Sequence, residues 1–356
     1  MSRNIVRKVR SNLPVIDFII EWVFLIYGLL VHLITGKTPK RSHHSLVMLF
    51  AKTQGKINDF LSSILSIVYP PYEIREISGV LQSLSKTELD EIQHSLERDG
   101  YHVFEERLDH DFCEQILQQT LKVDCLLGGD EIAREQSRKI AKYDAGNPMA
   151  ACYMVAKDDV TDIKEVQKLI CDPLLIKVAQ SYLKAKPIFS AVSMSWSPHV
   201  KETPDSEAAQ QYHFDMERIK WLRFFVYLTD VDSDSGPHCF VKGTHRTGWI
   251  PKHILDQGYT RKSDEEIFQE FGTDSCVEFT GWRGTIIAED SRGFHKGKMP
   301  NKGHRLLLAF ELSNSTFGSY KRHMIRKIRE PQFRKFYLQY PRLYRNFDFI
   351  KESTPD

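Results

Sequence analysis

Residues 188–196, Ile-Phe-Ser-Ala-Val-Ser-Met-Ser-Trp, and residues 221–228, Trp-Leu-Arg-Phe-Phe-Val-Tyr-Leu, decide the fold class of this chain. Both are short runs rich in β-branched and aromatic side chains, a composition that favours strands. Three similar runs follow at residues 276–280, 284–288 and 305–312, and glycine and proline lie between them. Short strands separated by turn residues predict a β-barrel or jelly roll over this part of the chain.

The chain before residue 187 has the periodicity of helices instead. Apolar residues in 57–69 recur at spacings of three and four, and the prolines at 70–71 end the pattern. Residues 109–122 and 161–184 are predicted as further helices. The predicted fold is therefore mainly β with helical additions, preceded by an α-helical N-terminal region.

One helix start is specified by its capping residues. Ser85 precedes a helical run and Glu88 follows three positions later, which is the pattern of a capping box, and Gly100 is the predicted stop. This start places a boundary near residue 84. The predicted regions are a helical N-terminal region at 1–84, a barrel domain at 85–316 and a basic aromatic tail at 317–356.

Composition indicates an ordinary globular protein. Of 356 residues, 41% are hydrophobic and 27% charged, and the formal net charge is +2. This balance gives no support to polyanion binding, so no nucleic-acid partner is expected. The six cysteines include no Cys-x-x-Cys pair, and a chain of this length can build a core without disulfides. Reduced core thiols in the cytoplasm are the expectation.

The most apolar segment is residues 13–35. It is long enough to cross a bilayer, but Asp17 and Glu21 in its first turns are costly in lipid. It is too long for a signal peptide and no cleavage site follows it. Three interpretations remain open: a buried or partner-facing helix, a helix lying in a membrane interface, and a membrane span.

A second candidate for surface contact is the tail at 317–350. Nine basic residues stand there against Glu330 and Asp348. Aromatic residues are interleaved with them: Phe333, Phe336, Tyr337, Tyr340, Tyr344 and Phe347. A solvated helix that covers the barrel is one interpretation. Contact with an anionic surface, either lipid headgroups or an acidic substrate, is the other.

His213-Phe214-Asp215 is the first candidate for a metal site. Residues two apart on a strand point to one face, so the imidazole and the carboxylate could reach one ion. With one more histidine they would form a two-histidine, one-carboxylate face of the kind that binds Fe(II). A single His-x-Asp step is expected by chance in a chain of this size, so its context decides its value.

That context is supplied by His295 and Arg305. A turn at 300–303 separates two strand-like runs, which predicts a hairpin with His295 and Arg305 opposite each other. Arginine suits a carboxylate because it can bind both oxygens at once. The pattern predicts a third iron ligand beside an anchor for a dicarboxylate.

The chain resembles the phytanoyl-CoA dioxygenase family over about residues 85–315. His295 followed by Arg305 fits the distal ligand and the 2-oxoglutarate arginine of that family. Residues 96–104 resemble the entry segment of that family. Residues 211–215, with the strand at 226–231, resemble its first metal segment, and residues 235–246 resemble its glycine-rich run.

This resemblance implies a cupin-like double-stranded β-helix that uses Fe(II), 2-oxoglutarate and O₂, with ascorbate as a candidate reductant. It implies iron ligation and catalysis by His213, Asp215 and His295, and hydroxylation with release of succinate and CO₂. Gly297 departs from the family, where a serine or threonine often contacts the cosubstrate. Arg305 then carries that contact alone or with help from Lys296 or Tyr227.

Substrate identity is not readable from the sequence. A small molecule or a lipid- or glycan-linked substrate is expected, in the cytoplasm and with membrane contact through 13–35 and 317–350. Two rival functions remain open. One is an inactive barrel that serves as a membrane-associated binding protein, and the other is a cupin-like metalloenzyme that does not use 2-oxoglutarate.

Overall fold

The computed structural model describes residues 15–75, 79–81, 83–129, 139–318 and 322–349. Residues 1–14, 76–78 and 82 of the predicted N-terminal region, and residues 319–321 and 350–356 of the predicted tail, lie outside the described residues. The predicted boundaries of the three regions remain predictions.

Antiparallel strands form the centre of the fold. The strands are β1 (Tyr101–Val103), β2 (Cys125–Gly128), β3 (Ile140–Ala141), β4 (Cys152–Val155), β5 (Ile188–Pro198), β6 (Trp221–Tyr227), β7 (His238–Val241), β8 (Cys276–Phe279), β9 (Ile286–Glu289), β10 (His295–Gly297), β11 (His304–Ser313), β12 (His323–Ile325) and β13 (Phe347–Phe349). The large sheet has the order β1-β9-β6-β11-β5-β4-β2-β3, and a small sheet has the order β10-β7-β8. A parallel pair, β12 and β13, lies apart.

The two sheets enclose an interior whose composition follows from strand alternation. On β6, Phe224 and Val226 belong to the large core, whereas Phe225 and Tyr227 pack with Phe240 of the small sheet. One face of the large sheet therefore packs on helices and the other faces the small sheet. This arrangement confirms the predicted jelly roll with helical additions.

Helices cover the outer face of the large sheet and form the N-terminal region. They are α1 (Val15–Thr35), α2 (Lys40–Thr53), α3 (Lys56–Val68), α4 (Lys86–Asp99), α5 (His110–Thr120), α6 (Lys157–Thr161), α7 (Lys164–Ile170), α8 (Pro173–Leu183), α9 (Lys252–Leu255), α10 (Asp264–Phe271) and α11 (Pro331–Gln339). The predicted cap is confirmed, because Ser85 and Glu88 form a capping box on α4 and Gly100 ends the helix with φ of 92°.

The single helix predicted at 161–184 is wrong. Its residues lie in the end of α6 and in α7 and α8, and Asp172 caps α8 by accepting from the main-chain N–H groups of Leu174 and Leu175. Pro173 at the first position of α8 disfavours helical backbone at Asp172, so the helix must restart there. The apolar periodicity continues across the break, which explains the error.

Helix α1 packs one face on α2 and leaves the other exposed. Glu21 accepts two hydrogen bonds from Arg41 of α2, at 2.6 and 2.7 Å. Gly28 lies so close to Ser42 that a β-carbon there would stand 2.1 Å from that residue's Cβ. Every residue of 16–34 that is classed as exposed is apolar or aromatic. Among the described residues, α1 is the one helix long and apolar enough to cross a membrane.

The tail is more deeply integrated than its composition predicts. Phe333, Phe336, Tyr344 and Phe347 are buried and belong to the same core cluster as the large sheet. Several of its basic residues are paired, as in the ion pair between Arg329 and Asp162 at 2.7 Å. These four aromatic residues therefore stabilise the fold, and contact of the tail with an anionic surface stays a prediction.

Candidate metal centre

His213, Asp215 and His295 lie together in the interior. One potential ligand atom from each falls within 4.8 Å of the others, and all three residues are buried. They form the one cluster of this kind among the residues that the structure describes. His213 lies on an extended segment before β6 that bridges His295 of β10, not on a longer strand as predicted. The predicted triad is thus brought together by a single antiparallel bridge.

The hydrogen bonds of the two imidazoles fix which nitrogen faces the cluster. His213 Nδ1 lies 3.0 Å from the carbonyl oxygen of Gln211, and His295 Nδ1 lies 3.0 Å from that of Gly293. A carbonyl oxygen can only accept, so each Nδ1 carries the proton. The Nε2 of each ring therefore keeps its lone pair for a metal, as in most histidine metal sites.

Both imidazoles are neutral in this environment. Burial lowers the pKa of His213 well below its usual value, and the nearby His295 and Arg261 lower it further. Burial also lowers the pKa of His295, against the opposing effect of Asp215 and Glu289. Neutral imidazole is the form that ligates a metal, so the site does not need to lose protons to bind one.

Asp215 is oriented by neighbours that the sequence pattern did not identify. Its Oδ2 accepts from Ser291 Oγ at 3.0 Å, and that hydroxyl accepts from Trp221 Nε1 at 2.8 Å. Arg223 Nη1 lies 3.5 Å from the same oxygen, and its Nη2 bonds Glu311 at 2.6 Å. These contacts hold one carboxylate oxygen in place. They come from distant positions, so no local motif could have indicated them.

Arg305 faces the same interior, but not in the way predicted. The predicted hairpin between His295 and Arg305 is wrong, because β10 pairs with β7 whereas β11 pairs with β5 and β6. The turn between β10 and β11 therefore carries the chain from the small sheet to the large one. Arg305 reaches the interior because it lies on the same face of β11 as Leu307 and Ala309, which pack toward the small sheet.

The guanidinium of Arg305 is buried without a carboxylate partner among the described residues. Its Nη1 donates to the carbonyl oxygen of Gly236, and its Nε has no hydrogen-bond partner. Burial lowers its pKa, and no carboxylate stands among the groups that oppose the effect. A β-carbon on Gly297 would lie 2.7 Å from Arg305 Nη2. The missing side chain at 297 thus gives the guanidinium its space.

The two candidate helpers of Arg305 have other contacts. Tyr227 is fully buried, its hydroxyl donates to the carbonyl oxygen of Phe279 at 2.7 Å, and it accepts from the main-chain N–H of His238 at 2.9 Å. Lys296 forms an ion pair with Asp264 and stands over the ring of Tyr212. Tyr227 therefore remains close to the site, while Lys296 points to the other face of β10.

Three further histidines, His238, His245 and His304, lie outside the ligand cluster. His238 Nε2 and Glu289 Oε2 are 2.7 Å apart, and the imidazole ring contacts that of Phe225 at an angle of 39°. His245 lies in the loop after β7, and its Nδ1 stands against Gly100. His304 packs on Trp196. None of these three belongs to the cluster of potential ligand atoms.

Comparison with known proteins agrees with this geometry. The family profile of phytanoyl-CoA dioxygenase (PhyH) matches residues 96–302, more than half of the 356 residues. The chain belongs to the phytanoyl-CoA dioxygenase family. Membership confirms the predicted enzyme class, an iron- and 2-oxoglutarate-dependent dioxygenase. Among curated proteins, none matches the chain significantly in sequence.

Solved structures similar to this family member are distant. The epimerase SnoN, in complex with Fe³⁺, α-ketoglutarate and nogalamycin RO, is 15% identical, with 76% of this chain and 93% of that chain covered and a TM-score of 0.44. EctD from S. alaskensis, with 2-oxoglutarate and 5-hydroxyectoine, is 19% identical, with 69% and 82% covered and a TM-score of 0.45. HygX from Streptomyces hygroscopicus, with nickel and 2-oxoglutarate, is 15% identical, with 68% and 91% covered and a TM-score of 0.44.

Proposed function

We propose that this chain is a hydroxylase whose Fe(II) is held by His213, Asp215 and His295. The observation that carries the proposal is the pair of Nδ1–carbonyl bonds, which turns both Nε2 atoms toward one buried carboxylate. Two neutral imidazoles and one carboxylate are the donor set that suits Fe(II) and leaves coordination positions for a cosubstrate. The residues present therefore fit the metal that the family requires.

Arg305 is proposed to bind the distal carboxylate of 2-oxoglutarate. A buried guanidinium without a carboxylate partner favours an anion, and two parallel hydrogen bonds would satisfy it. With O₂, bound iron and 2-oxoglutarate would supply the oxidant that hydroxylates a substrate C–H bond, and 2-oxoglutarate would leave as succinate and CO₂. Tyr227 supports the same carboxylate by shaping the wall beside Arg305, since its own hydroxyl is engaged with main-chain groups.

The remaining task of the protein is to orient these groups and exclude water. Ser291 and Arg223 hold Oδ2 of Asp215, which limits the carboxylate to one orientation. The ligands are less than one-tenth exposed, so the reacting atoms are shielded from bulk solvent. The direct test is Fe(II)-dependent binding of 2-oxoglutarate under anaerobic conditions, followed by the weak visible charge-transfer band of a chelated 2-oxo acid.

An anionic group on the substrate is proposed from the loop that precedes α10. The ring of Tyr259 lies 6.2 Å from that of His213, and the Arg261 guanidinium stands 5.2 Å from the ring of Tyr259. Arg261 Nη1 is buried without a hydrogen-bond partner, and the residue forms no ion pair with a described carboxylate. A cation held beside the metal ligands in this way favours a substrate that carries a carboxylate or phosphate.

Attachment to a membrane surface is proposed for α1. Its exposed positions between 16 and 34 cover about half or more of the helix circumference at about 100° per residue, and they include no charged residue. A protein partner needs an apolar stripe of only about 100°, whereas a helix half-sunk in lipid needs the wider arc. The ion pair of Glu21 with Arg41, in which Glu21 is buried, ties the other face to α2, and this opposes a full span.

Helix α3 also exposes apolar side chains. Phe60, Ile64, Ile67 and Val68 are exposed there, and α1, α2 and α3 share one core cluster. Lys37 and Lys40, which follow α1, are exposed and could contact anionic headgroups. We therefore place the barrel in the cytoplasm with α1 and α3 against a bilayer, and a lipid-linked substrate is consistent with that position.

A further inference from the structure

A cleft of about 350 Å³ lies between α3 and the barrel. We refer to it as the α3 cleft. It is bounded by α3, by the end of α8 and by the loop after β7, and none of the three proposed iron ligands lines it. The proposed hydroxylase chemistry makes no use of it, so its charged lining needs a separate explanation.

Basic side chains outnumber acidic ones in the lining of the α3 cleft. The lining contains four basic and two acidic residues: Lys184, Lys220, Arg246 and Arg292 against Asp59 and Glu97. Asp290 lies behind Arg292 and binds it through Nε and Nη2, at 3.0 and 2.7 Å. Even with this third carboxylate counted, the group of charges keeps one net positive charge.

Two of the four cations have no acidic partner. Lys184 forms an ion pair with Glu97 at 3.1 Å, and Arg292 pairs with Asp290 and with Asp59. Lys220 and Arg246, by contrast, form no ion pair within 4.0 Å with any carboxylate of the described chain. Arg246 donates through Nε to the Gly243 carbonyl and stands 3.6 Å from the centre of the Trp249 ring. An anion in the cleft would thus find two cations that form no ion pair of their own.

Lys220 is the more constrained of the two. Its Nζ donates to the carbonyl oxygen of Tyr182 at 3.1 Å and stands 4.1 Å from the centre of that residue's ring. Burial and the charge of Arg292 lower the pKa of Lys220 to about 8, against the opposing effect of Asp290 and Asp59. One ammonium hydrogen is engaged, so two remain for a ligand.

Hydroxyl groups complete the lining. Ser62, Ser63 and Ser66 of α3 and Thr247 face the cleft. Ser62 Oγ accepts from Asn314 Nδ2 at 2.9 Å, which leaves its own proton for an acceptor in the cleft. Ser63, Ser66 and Thr247 already donate to the Asp59 carbonyl, the Ser63 carbonyl and the Asp59 carboxylate. Two cations outside any ion pair, together with the Ser62 hydroxyl, match an anion that has several acceptor oxygens.

We propose that the α3 cleft binds a phosphate monoester, with Lys220 and Arg246 as its main cationic contacts. Phosphate can accept from both cations and from the Ser62 hydroxyl at once, whereas a single carboxylate offers only two oxygens. The same chemistry could come from a free phosphate compound or from the headgroup of a lipid such as phosphatidic acid. The second source is within reach because α3 lines the cleft with its serines and exposes Ile64 and Ile67.

The test uses the full chain without iron and titrates inorganic phosphate, with acetate as comparison, by calorimetry. Lys220→Gln should weaken phosphate binding at least about tenfold, because a charge-assisted contact is lost. Lys242→Gln is the matched control, since Lys242 is exposed, lies near the same loop and does not line the cleft. If Lys220→Gln does not fold, Arg246→Gln takes its place with the same expectation.

Vesicles distinguish the two sources of phosphate. Preferential binding of the wild-type chain to phosphatidic acid over phosphatidylglycerol, lost in Lys220→Gln, would identify a lipid headgroup. Equal binding to both lipids, with phosphate binding still dependent on Lys220, would identify a free phosphate compound. Absence of phosphate binding, equal binding of acetate, or equal phosphate affinity of Lys220→Gln and Lys242→Gln would overturn the proposal. None of these outcomes depends on the hydroxylase activity.

Discussion

His213 and His295 exchange both main-chain hydrogen bonds of an antiparallel pair, with N–O distances of 3.0 and 2.8 Å. Their ring centres lie 4.3 Å apart as a result. In addition, each ring donates its Nδ1 proton to the carbonyl oxygen of the residue two positions earlier. The main chain thus sets both the spacing and the orientation of two proposed ligands, so we expect the iron site to be largely preformed.

The first prediction concerns the ligands. His213→Ala, Asp215→Ala and His295→Ala should each abolish the anaerobic charge-transfer band and 2-oxoglutarate-dependent O₂ uptake, because a two-ligand site cannot hold iron with ordered open positions. Absorbance titration with Fe(II) and 2-oxoglutarate measures this directly. Asp215→Ala with added chloride is informative, since a recovered band would indicate that chloride can fill the vacated position.

A matched control exists for the histidine substitutions. His199 also has its Nδ1 on a carbonyl oxygen, that of Pro300 at 2.8 Å, but it lies outside the ligand cluster. His199→Ala should therefore keep the band. A folded wild-type chain that gives neither the band nor 2-oxoglutarate-dependent O₂ uptake would favour the inactive-barrel alternative over the oxygenase.

The second prediction concerns Arg305. Arg305→Ala should weaken 2-oxoglutarate binding roughly 30- to 1000-fold, about 2–4 kcal/mol, because a buried charge-assisted contact is lost. Iron content should stay nearly unchanged, and Arg305→Lys should restore only part of the affinity because it cannot bind both oxygens in the same plane. Calorimetric titration of each Fe(II)-loaded variant with 2-oxoglutarate measures the affinity, and metal analysis measures the iron content. Unchanged affinity in Arg305→Ala would place the anchor elsewhere.

Most strands of the fold could be predicted from the sequence, because the residues that favour strands and turns lie within a few positions of each other. The strands predicted at 188–196, 221–228 and 305–312 agree with β5, β6 and β11 to within about two residues. Which strands pair with each other could not be predicted as well. The run after His295 looks like the return strand of a hairpin, and nothing local indicates that it crosses to the other sheet.

The same limit applies to the site. The spacing of His213 and Asp215 is a local signal, and the likeness to the family supplied His295. By contrast, Ser291 and Arg223 reach Asp215 only through tertiary packing, and the main-chain bridge between His213 and His295 joins positions far apart in sequence. Groups that orient ligands carry no spacing rule of their own, so only the structure identifies them.

The third prediction concerns substrate charge and rests on Arg261. Candidate substrates should be compared as a carboxylic acid and as the neutral amide or ester of the same acid. The acid should support more 2-oxoglutarate-dependent succinate release than either neutral form. Arg261→Gln should raise the KM of the acid about 10- to 100-fold, the value of a lost charge-assisted hydrogen bond, while the anaerobic band stays intact. Steady-state kinetics measure this. Neutral compounds that work as well as acids, or an unaltered KM in Arg261→Gln, would contradict an anionic substrate.

The fourth prediction concerns stability and pH. Burial lowers the pKa of His245 to about 4, against an ordinary value of 6.5. Between pH 6.5 and 4, His245 binds a proton in the unfolded chain but not in the folded chain. The free energy of unfolding therefore falls as the pH drops from 6.5 to 4, and the contribution of His245 levels off below pH 4. The loss from this group is at most about 3 kcal/mol. Urea unfolding of the iron-free chain at several pH values measures it.

A neutral substitution isolates the contribution of His245. In His245→Gln, the free energy of unfolding should fall less steeply between pH 6.5 and 4 than in the wild type. His94→Gln is the control, because His94 is exposed on α4 and its substitution should leave the slope unchanged. Identical slopes in all three chains would mean that His245 takes up its proton equally well in the folded state.

The fifth prediction concerns α1. Leu30 is 56% exposed in the middle of its apolar arc, and Leu338 of α11 is 71% exposed far along the chain. Leu30→Glu should weaken binding of the full chain to vesicles containing anionic lipid at least about tenfold, because it removes apolar burial and places a carboxylate in the interface. Leu338→Glu should bind like the wild type. Vesicle co-sedimentation measures the binding of the wild type and of the two variants. Analytical ultracentrifugation of the same proteins without lipid measures their oligomeric state. If the wild type forms an oligomer that only Leu30→Glu dissociates, and neither binds vesicles, then another copy of the chain covers α1 and the bilayer proposal is wrong.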